Sequence, residues 1–357
     1  LTAKSIKESV KMPDLYFDFG NAELKYFDGE KSFGHQRHAI YQMSESEWRN
    51  ATQRAKQPPE GYIAVEGRYF AIGDKARRYV LKDKPRGADR YVQEYYGVAM
   101  AYAISEIFDN SHRVINLYAS HAPRDIAYVD DIRNAALGRW HFVTYKGEYN
   151  LTVKTVDTFD EPLGGFNHTM LTKDGKLLKS NPYRQSTVLV LDVGGYTTDV
   201  VAVDPGGSID EASLRSTLTG AIGVYETFES ELRSQYRAEF KGTPDISPDR
   251  LENAIAKGFY QFGNMQLECA EIARAAVASL TNDVVDVIKA AGGVANFDVI
   301  FLTGGGSALI AHTIQKAVPT IDFVLAEPNT DLLRYANVFG GAKFFTMMKR
   351  MEALKNG

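Results

Sequence analysis

Two short apolar runs set the pattern of this chain. Residues 14–20, DLYFDFG, and residues 188–203, VLVLDVGGYTTDVVAV, each read as a buried strand that ends on an Asp, skips one residue and reaches a Gly. A second strand, AELKYFD, follows the first run. Residues 28 to 97 turn polar and irregular, with KQPPEG as a loop and YIAVEGRYFAIGD as a hairpin turning at Glu66-Gly67. This stretch is predicted as an inserted subdomain. Tyr96, Ala99, Ile104, Ile107 and Phe108 fall at helical spacing, RVINLYASHAP reads as a strand into a Pro123 turn, and a further helix lies near 123–137. Alternation in GRWHFVTYKGEYNLTVKTVDTF predicts paired strands that end in a loop, DEPLGG.

Beyond the second run, GAIGVYETFESELRSQYR is predicted helical, and TPDISPDRLENAI is predicted as a short helix capped by Asp249. The stretch FGNMQLECAEIARAAVASLTNDVVDVIKAAGG is predicted as the longest helix, stopping at Gly292-Gly293. FDVIFLTGGGSALI repeats the order strand, glycine turn, helix, and LLRYANVFGGAKFFTMMKRMEAL closes the chain as a helix. The strand-then-acidic-turn pattern thus occurs once in each half, a weak internal duplication.

Composition narrows the class. The chain has 357 residues with 44% hydrophobic and 24% charged, enough for two globular cores. A formal net charge of −4 gives no general attraction to phosphate backbones, so direct nucleic-acid contact is disfavoured. The single Cys269 excludes an intramolecular disulfide and a thiolate metal cluster. With no signal-like start and no apolar run of about 18 residues, the expectation is a cytoplasmic protein without direct membrane contact. Residues 75–90 hold seven basic and two acidic residues, open to three readings: a solvated loop, a subunit contact or a DNA contact. His35 and His38 lack accompanying metal-ligand residues and read as surface side chains.

The chemistry concentrates at the two acidic turns. FDFGNAELK and LDVGGYTTD each put a glycine where the backbone can turn and approach a ligand, and consecutive N–H groups there form a concave donor site for phosphate oxygens. Asp18 and Asp192 are costly to bury alone, and a magnesium ion held largely through water resolves that cost. Lys25 can return along the second strand to neutralise phosphate charge. The three contiguous glycines Gly304, Gly305 and Gly306 leave a flat backbone for a planar ring beside an open helix N-terminus. Contiguity disfavours a dinucleotide fold, and the lack of G-K-[ST] removes the P-loop class.

FDFGNAELK, LYASHAP, LDVGGYTTD, FLTGGGSALI and ANVFGGAKFF resemble, in this order, the phosphate 1, connect 1, phosphate 2, adenosine and connect 2 motifs of the actin superfamily. Within it the chain is most similar to bacterial plasmid-segregation actins of the ParM type and their archaeal relatives. Asn21 stands where actin has Ser, and LYASHAP lacks the family's glycine. The resemblance implies an α/β, actin-like (ribonuclease H-like duplicated) fold of two domains with an interdomain nucleotide cleft. Domain I would comprise 12–182 and 336–357, with the insert at about 28–97, and domain II 183–335.

It further implies ATP (or GTP) with Mg2+ as ligands and Asp18 and Asp192 at the metal. Gly20, Asn21, Ala22, Lys25, Gly194, Gly195, Tyr196 and Thr197 would meet the phosphates, and Gly223, Glu226 and Gly304–Gly306 the ribose and base. Glu161 would orient the attacking water, with Asp157 and Asp160 as competitors, and Asp192 would act beside it. The implied function is an ATPase that polymerises into filaments, a self-association serving plasmid or DNA segregation through a DNA-bound adaptor. Two alternatives stand: a sugar-type small-molecule kinase of the same fold, and a nucleotide-binding scaffold without turnover.

Overall fold

The structure, a computed structural model, describes residues 12–53, 55, 57–79, 91 and 95–356. Contacts group the chain into two compact units, one of residues up to 19, 23–120 and 127–158, the other of 20–22, 121–126 and 159 onward.

In chain order the first unit contains β1 (Asp14–Phe19), β2 (Glu23–Phe27), β3 (Phe33–Arg37), β4 (Ile40–Met43), α1 (Glu45–Thr52), β5 (Tyr62–Val65) and β6 (Arg68–Ile72). These are followed by α2 (Tyr95–Ile107), β7 (Val114–His121, whose last residue groups with the second unit), α3 (Val129–Ala136), β8 (Gly138–Thr144) and β9 (Gly147–Asp160, whose end does the same). All nine strands form one sheet in the order β3-β2-β1-β7-β9-β8-β5-β6-β4. Every residue of β1 is buried, which explains its nearly unbroken apolar reading. Leu15, Phe17 and Phe19 join Tyr96, Val98, Met100 and Ile104 of α2 in the main core.

The predicted hairpin is present, with Glu66 and Gly67 both at positive φ (48° and 77°) and β5 paired antiparallel to β6, the geometry a two-residue turn needs. The 28–97 stretch is more regular than its polar composition suggests. Its strands β4, β5 and β6 join the main sheet through β8, where Ala64 pairs with Val143. His38 is also buried, its ring centroid 4.3 Å from that of Phe19, so only His35 is a surface side chain. Residues 80–90 of the basic stretch lie outside the described residues.

The second unit contains α4 (Glu161–Met170), β10 (Val188–Val193), β11 (Thr198–Val203), β12 (Ile209–Thr217), α5 (Ala221–Gln235), α6 (Pro248–Lys257), β13 (Phe259–Phe262) and β14 (Met265–Glu268). It continues with α7 (Ala270–Ala290), β15 (Val299–Thr303), α8 (Ser307–Ala317), β16 (Asp322–Leu325) and α9 (Ala336–Asn356). Its main sheet runs β12-β11-β10-β15-β16. An antiparallel pair beside a parallel strand, β2-β1-β7 in one sheet and β11-β10-β15 in the other, makes the duplication concrete. Leu189, Leu191, Ile300 and Leu302 face a core shared with α5, α7 and α8. Val188, Val190, Val201 and Phe301 face Leu163 and Phe166 of α4.

Three local expectations are corrected. DEPLGG is the start of α4 and not a loop: Pro162 suits a first helical turn, where its missing N–H costs nothing, and the two glycines are packing sites. The long predicted helix begins only at Ala270, because Gly263 (φ 56°) turns the chain between β13 and β14, whose Tyr260 and Leu267 pair and are buried. Ser247, not Asp249, occupies the N-cap position of α6, with Pro248 as its first residue. Cys269 is buried at the N-cap of α7, and burial pushes its thiol up to about 11.

Helices α4 and α9 cross through glycines. A Cβ on Gly164 would overlap the backbone of Asn337, one on Gly340 the carbonyl oxygen of Gly164, and one on Gly341 the ring of Phe159. Because α4 also lies on β10, β11 and β15, the contact grouping keeps both helices with the second sheet and divides the chain after 158, whereas the sequence reading divides it after 182. Gly340→Ala should therefore cost about 3 kcal/mol in urea unfolding. Gly223→Ala, where a Cβ meets nothing within 4 Å, should leave stability unchanged or raise it. Equal midpoints for the two variants would contradict the glycine-dependent crossing.

Candidate active site

In the first unit, Asp18 stands opposite Lys25 across β1 and β2, and Lys25 Nζ donates to Asp18 Oδ2 at 2.8 Å. Lys25 is therefore a partner of Asp18 and not an exposed strand lysine. Asp18 is 1% exposed, and its Oδ1 makes no hydrogen bond.

The second unit brings together the turn of Gly20, Asn21 and Ala22, the 194–197 loop, the start of α5 and the start of α8. A Cβ on Gly195 would collide with the Ala22 side chain, and one on Gly220 with the backbone of Gly195 and Tyr196. Ala221 N–H donates to Gly194 O at 3.0 Å and Ile222 N–H to Gly195 O at 2.8 Å, while Gly306 N–H donates to Val193 O at 2.8 Å. The loop after β10 is thus held on both sides by helix starts. Thr197 points inward, its Oγ1 donating to Asp199 Oδ2 at 3.0 Å.

Strand register explains the polar cluster beneath this loop. Asp192 lies opposite Asp199 on β11 and opposite Thr303 on β15, so all three share the face covered by α4. Asn337, at the start of α9, donates from Nδ2 to Asp192 Oδ2 at 2.6 Å and accepts from Thr303 Oγ1 at 3.1 Å. A Cβ on Gly304, which has φ 82°, would strike Asp192 Oδ1, so glycine is required there for space and conformation alike. Asn337 carries this network although the motif reading gave it no role; locally it is only a polar residue within 336–342, the apolar, glycine-containing start of α9, and nothing there records its distant partners.

Asp199 was likewise unassigned. It is 1% exposed, and its Oδ1 makes no hydrogen bond. Burial raises its carboxyl above the usual range, against the nearby Ser216 hydroxyl, the hydrogen bond from Thr197 and the charge of Arg124, while Asp125 adds to the rise. Its signal was the spacing within LDVGGYTTD, which places two acids directly opposite each other.

Glu161 is the first residue of α4, one turn before Gly165, at which a Cβ would meet the Thr303 side chain. Asp157 is exposed on β9, whereas Asp160 and Glu161 are partly buried. Gly223 and Glu226 lie on the exposed side of α5. Arg334 has its Cβ 3.5 Å from the position of a Gly305 Cβ and reaches Glu252 of α6 at 3.4 Å, which adds a cation to the rim of the triple-glycine turn.

The residues present suit phosphates and a hydrated cation. Among the described residues no group of three His, Cys, Asp or Glu side chains could itself hold a metal ion. What Asp18 Oδ1 and Asp199 Oδ1 lack is a donor, and the water shell of a magnesium ion consists of donors.

Asn337→Leu should destabilise the chain by about 3 kcal/mol, because it removes the amide from a buried carboxylate and a buried hydroxyl together. In an Asp192→Asn background the same substitution should cost less, measured as a urea double-mutant cycle. Additive costs would show that the two side chains do not share one network.

Residues 190–316 match the family model described as archaeal actin homologue MreB-like, C-terminal. Among solved structures, the archaeal actin homolog Ta0583 is similar at 16% identity and a TM-score of 0.70, over 95% of this chain and 100% of that one. The actin-like protein Alp7A is similar at 14% identity and a TM-score of 0.72, over 96% and 98%. A ParM filament subunit from Clostridium botulinum is similar at 14% identity and a TM-score of 0.65, over 93% and 98%. No curated protein sequence matches. The motif order, the two sheets of like topology and these likenesses agree: the chain has the actin-like fold, and its residues 190–316 match the archaeal actin-homologue model.

Proposed function

We propose that this protein is an actin-like ATPase that binds ATP with Mg2+ and assembles into filaments, acting in the cytoplasm in plasmid or DNA segregation through a DNA-bound adaptor. One observation carries the reading: glycines at 195, 220, 304 and 306 let three loops close on the end of β10, where any side chain would collide with backbone, with the Ala22 side chain or with the Asp192 carboxylate. Such convergence of bare backbone suits phosphate oxygens. The archaeal homolog of the same fold has been solved with ADP, and the Clostridium botulinum ParM as a filament.

In this reading Gly20–Ala22 and Gly194–Thr197 line the phosphates, and Gly223, Glu226 and Gly304–Gly306 line the ribose and base. Lys25, held by Asp18, would neutralise phosphate charge. Asp18 and Asp192 would hold the magnesium ion through its waters, and the bound cation would offset charge on the phosphates. Glu161 orients the water that attacks the γ-phosphorus as the bond to the ADP oxygen breaks. The attacking water's proton leaves on the released inorganic phosphate. GTP in place of ATP uses the same residues.

Pelleting and phosphate release with ATP, GTP, ADP and no nucleotide test the reading. Filaments and phosphate release are expected with triphosphate alone. Glu161→Ala should retain nucleotide binding and lose about a hundredfold in phosphate release, whereas Asp192→Ala should lose magnesium-dependent binding. ADP release that depends on an added sugar, without pelleting, would establish the kinase alternative. Tight binding with phosphate release at background would establish the scaffold.

A further inference from the structure

β7 ends on His121 and β9 ends on Asp160, the residue immediately before Glu161. The His121 side chain is 4% exposed, and its Nδ1 stands 3.1 Å from the carbonyl oxygen of Ala122 and 3.5 Å from Asp160 Oδ1. A carbonyl oxygen only accepts, so Nδ1 carries the ring proton and donates it to Ala122 O, with Asp160 Oδ1 alongside at 3.5 Å.

Asp160 occupies the N-cap position of α4 with extended backbone, φ −74° and ψ 134°. An aspartate there ordinarily accepts a hydrogen bond from the N2 or N3 amide. This one makes no capping bond, and Pro162 at N2 has no N–H to offer. Its Oδ1, shut off from water, makes no hydrogen bond and stands 3.5 Å from the His121 ring nitrogen Nδ1. The cap carboxylate is turned from its own helix to the end of β7. Burial raises the Asp160 carboxyl, and the His121 charge opposes that rise.

The geometry points to His121 as a positioning residue: through Asp160 it fixes the first turn of α4 and thereby the direction of Glu161. The inference rests on the reading of Glu161 as the residue that orients water. It gives LYASHAP, the motif that departs most from its family pattern, a specific task. A helix start that cannot cap itself through its N2 amide is instead tied to a strand end of the connecting segment. His121 touches no reacting atom; its effect on turnover passes through a rotation of the first helical turn.

The test uses the full chain with His121→Ala, His121→Asn and Asp160→Asn. Asparagine keeps an N–H donor near the place of Nδ1. Two readouts are taken. Hydrogen exchange without nucleotide follows the amides of Gly164, Gly165 and Phe166, whose bonds close the first turn of α4. Steady-state phosphate release with Mg-ATP gives kcat and KM.

His121→Ala should speed exchange at these three amides by about tenfold while distant helices are unchanged. It should lower kcat by about tenfold to a hundredfold with KM within about twofold, because the water and not the nucleotide is misplaced. His121→Asn should recover most of both losses, and Asp160→Asn should match His121→Ala. Wild-type exchange in His121→Ala would overturn the inference. So would parallel losses in kcat and nucleotide affinity that asparagine does not rescue, since that is the signature of general destabilisation. A wild-type chain that releases no phosphate would refute the ATPase reading, and with it the effect of His121 on turnover, while the exchange data separately report whether His121 holds the helix start.

Discussion

The hydrogen bond from Asn337 to Asp192 is the interaction on which the second unit's functional end depends. It joins the end of β10 to the start of α9, and through Thr303 it draws in the end of β15. A carboxylate buried to 4% exposure must have donors if the folded state is to tolerate it. The amide supplies one and fixes where the carboxylate points. Elements far apart in sequence thereby meet at one side-chain amide.

Glycine makes that meeting possible. The loops after β10 and β15 and the start of α5 approach so closely that a methyl group at 195, 220, 304 or 306 would strike a neighbour. The same holds where α4 crosses α9, at Gly164 and Gly340. These positions give up the conformational restriction a side chain would provide. What they gain is bare backbone beside a buried acid, the arrangement in which phosphate oxygens and a hydrated cation find both donors and acceptors.

Much of the fold was legible because strands buried on both faces announce themselves as unbroken apolar runs, and because Glu66-Gly67 and Gly304–Gly306 mark turns that few other residues permit. The start of α4 was hidden: Glu-Pro-Leu-Gly-Gly is loop chemistry locally, and only packing against Asn337 and Thr303 makes it helical. The β13–β14 hairpin was hidden for the opposite reason, since its four-residue strands carry too little alternation to interrupt a helical pattern. Among the candidate residues, the buried Asp18 with its partner Lys25, and in the second unit Asp192 and the glycines packed about the end of β10, stood out by motif spacing. Asn337 and His121 could not, because each acts on a residue that is distant in sequence, and no local pattern records a long-range hydrogen bond.

Thermal denaturation with Mg2+ and ATP together, each alone, and both with excess chelator tests the central claim most directly. A ligand that binds the folded chain alone stabilises it by about 2.7 kcal/mol at a hundred times its dissociation constant. The account predicts an upward shift of several degrees, on the order of 4–8 °C, only when cation and nucleotide are both present. A midpoint unmoved by the pair, or moved equally by ATP in chelator, would contradict it.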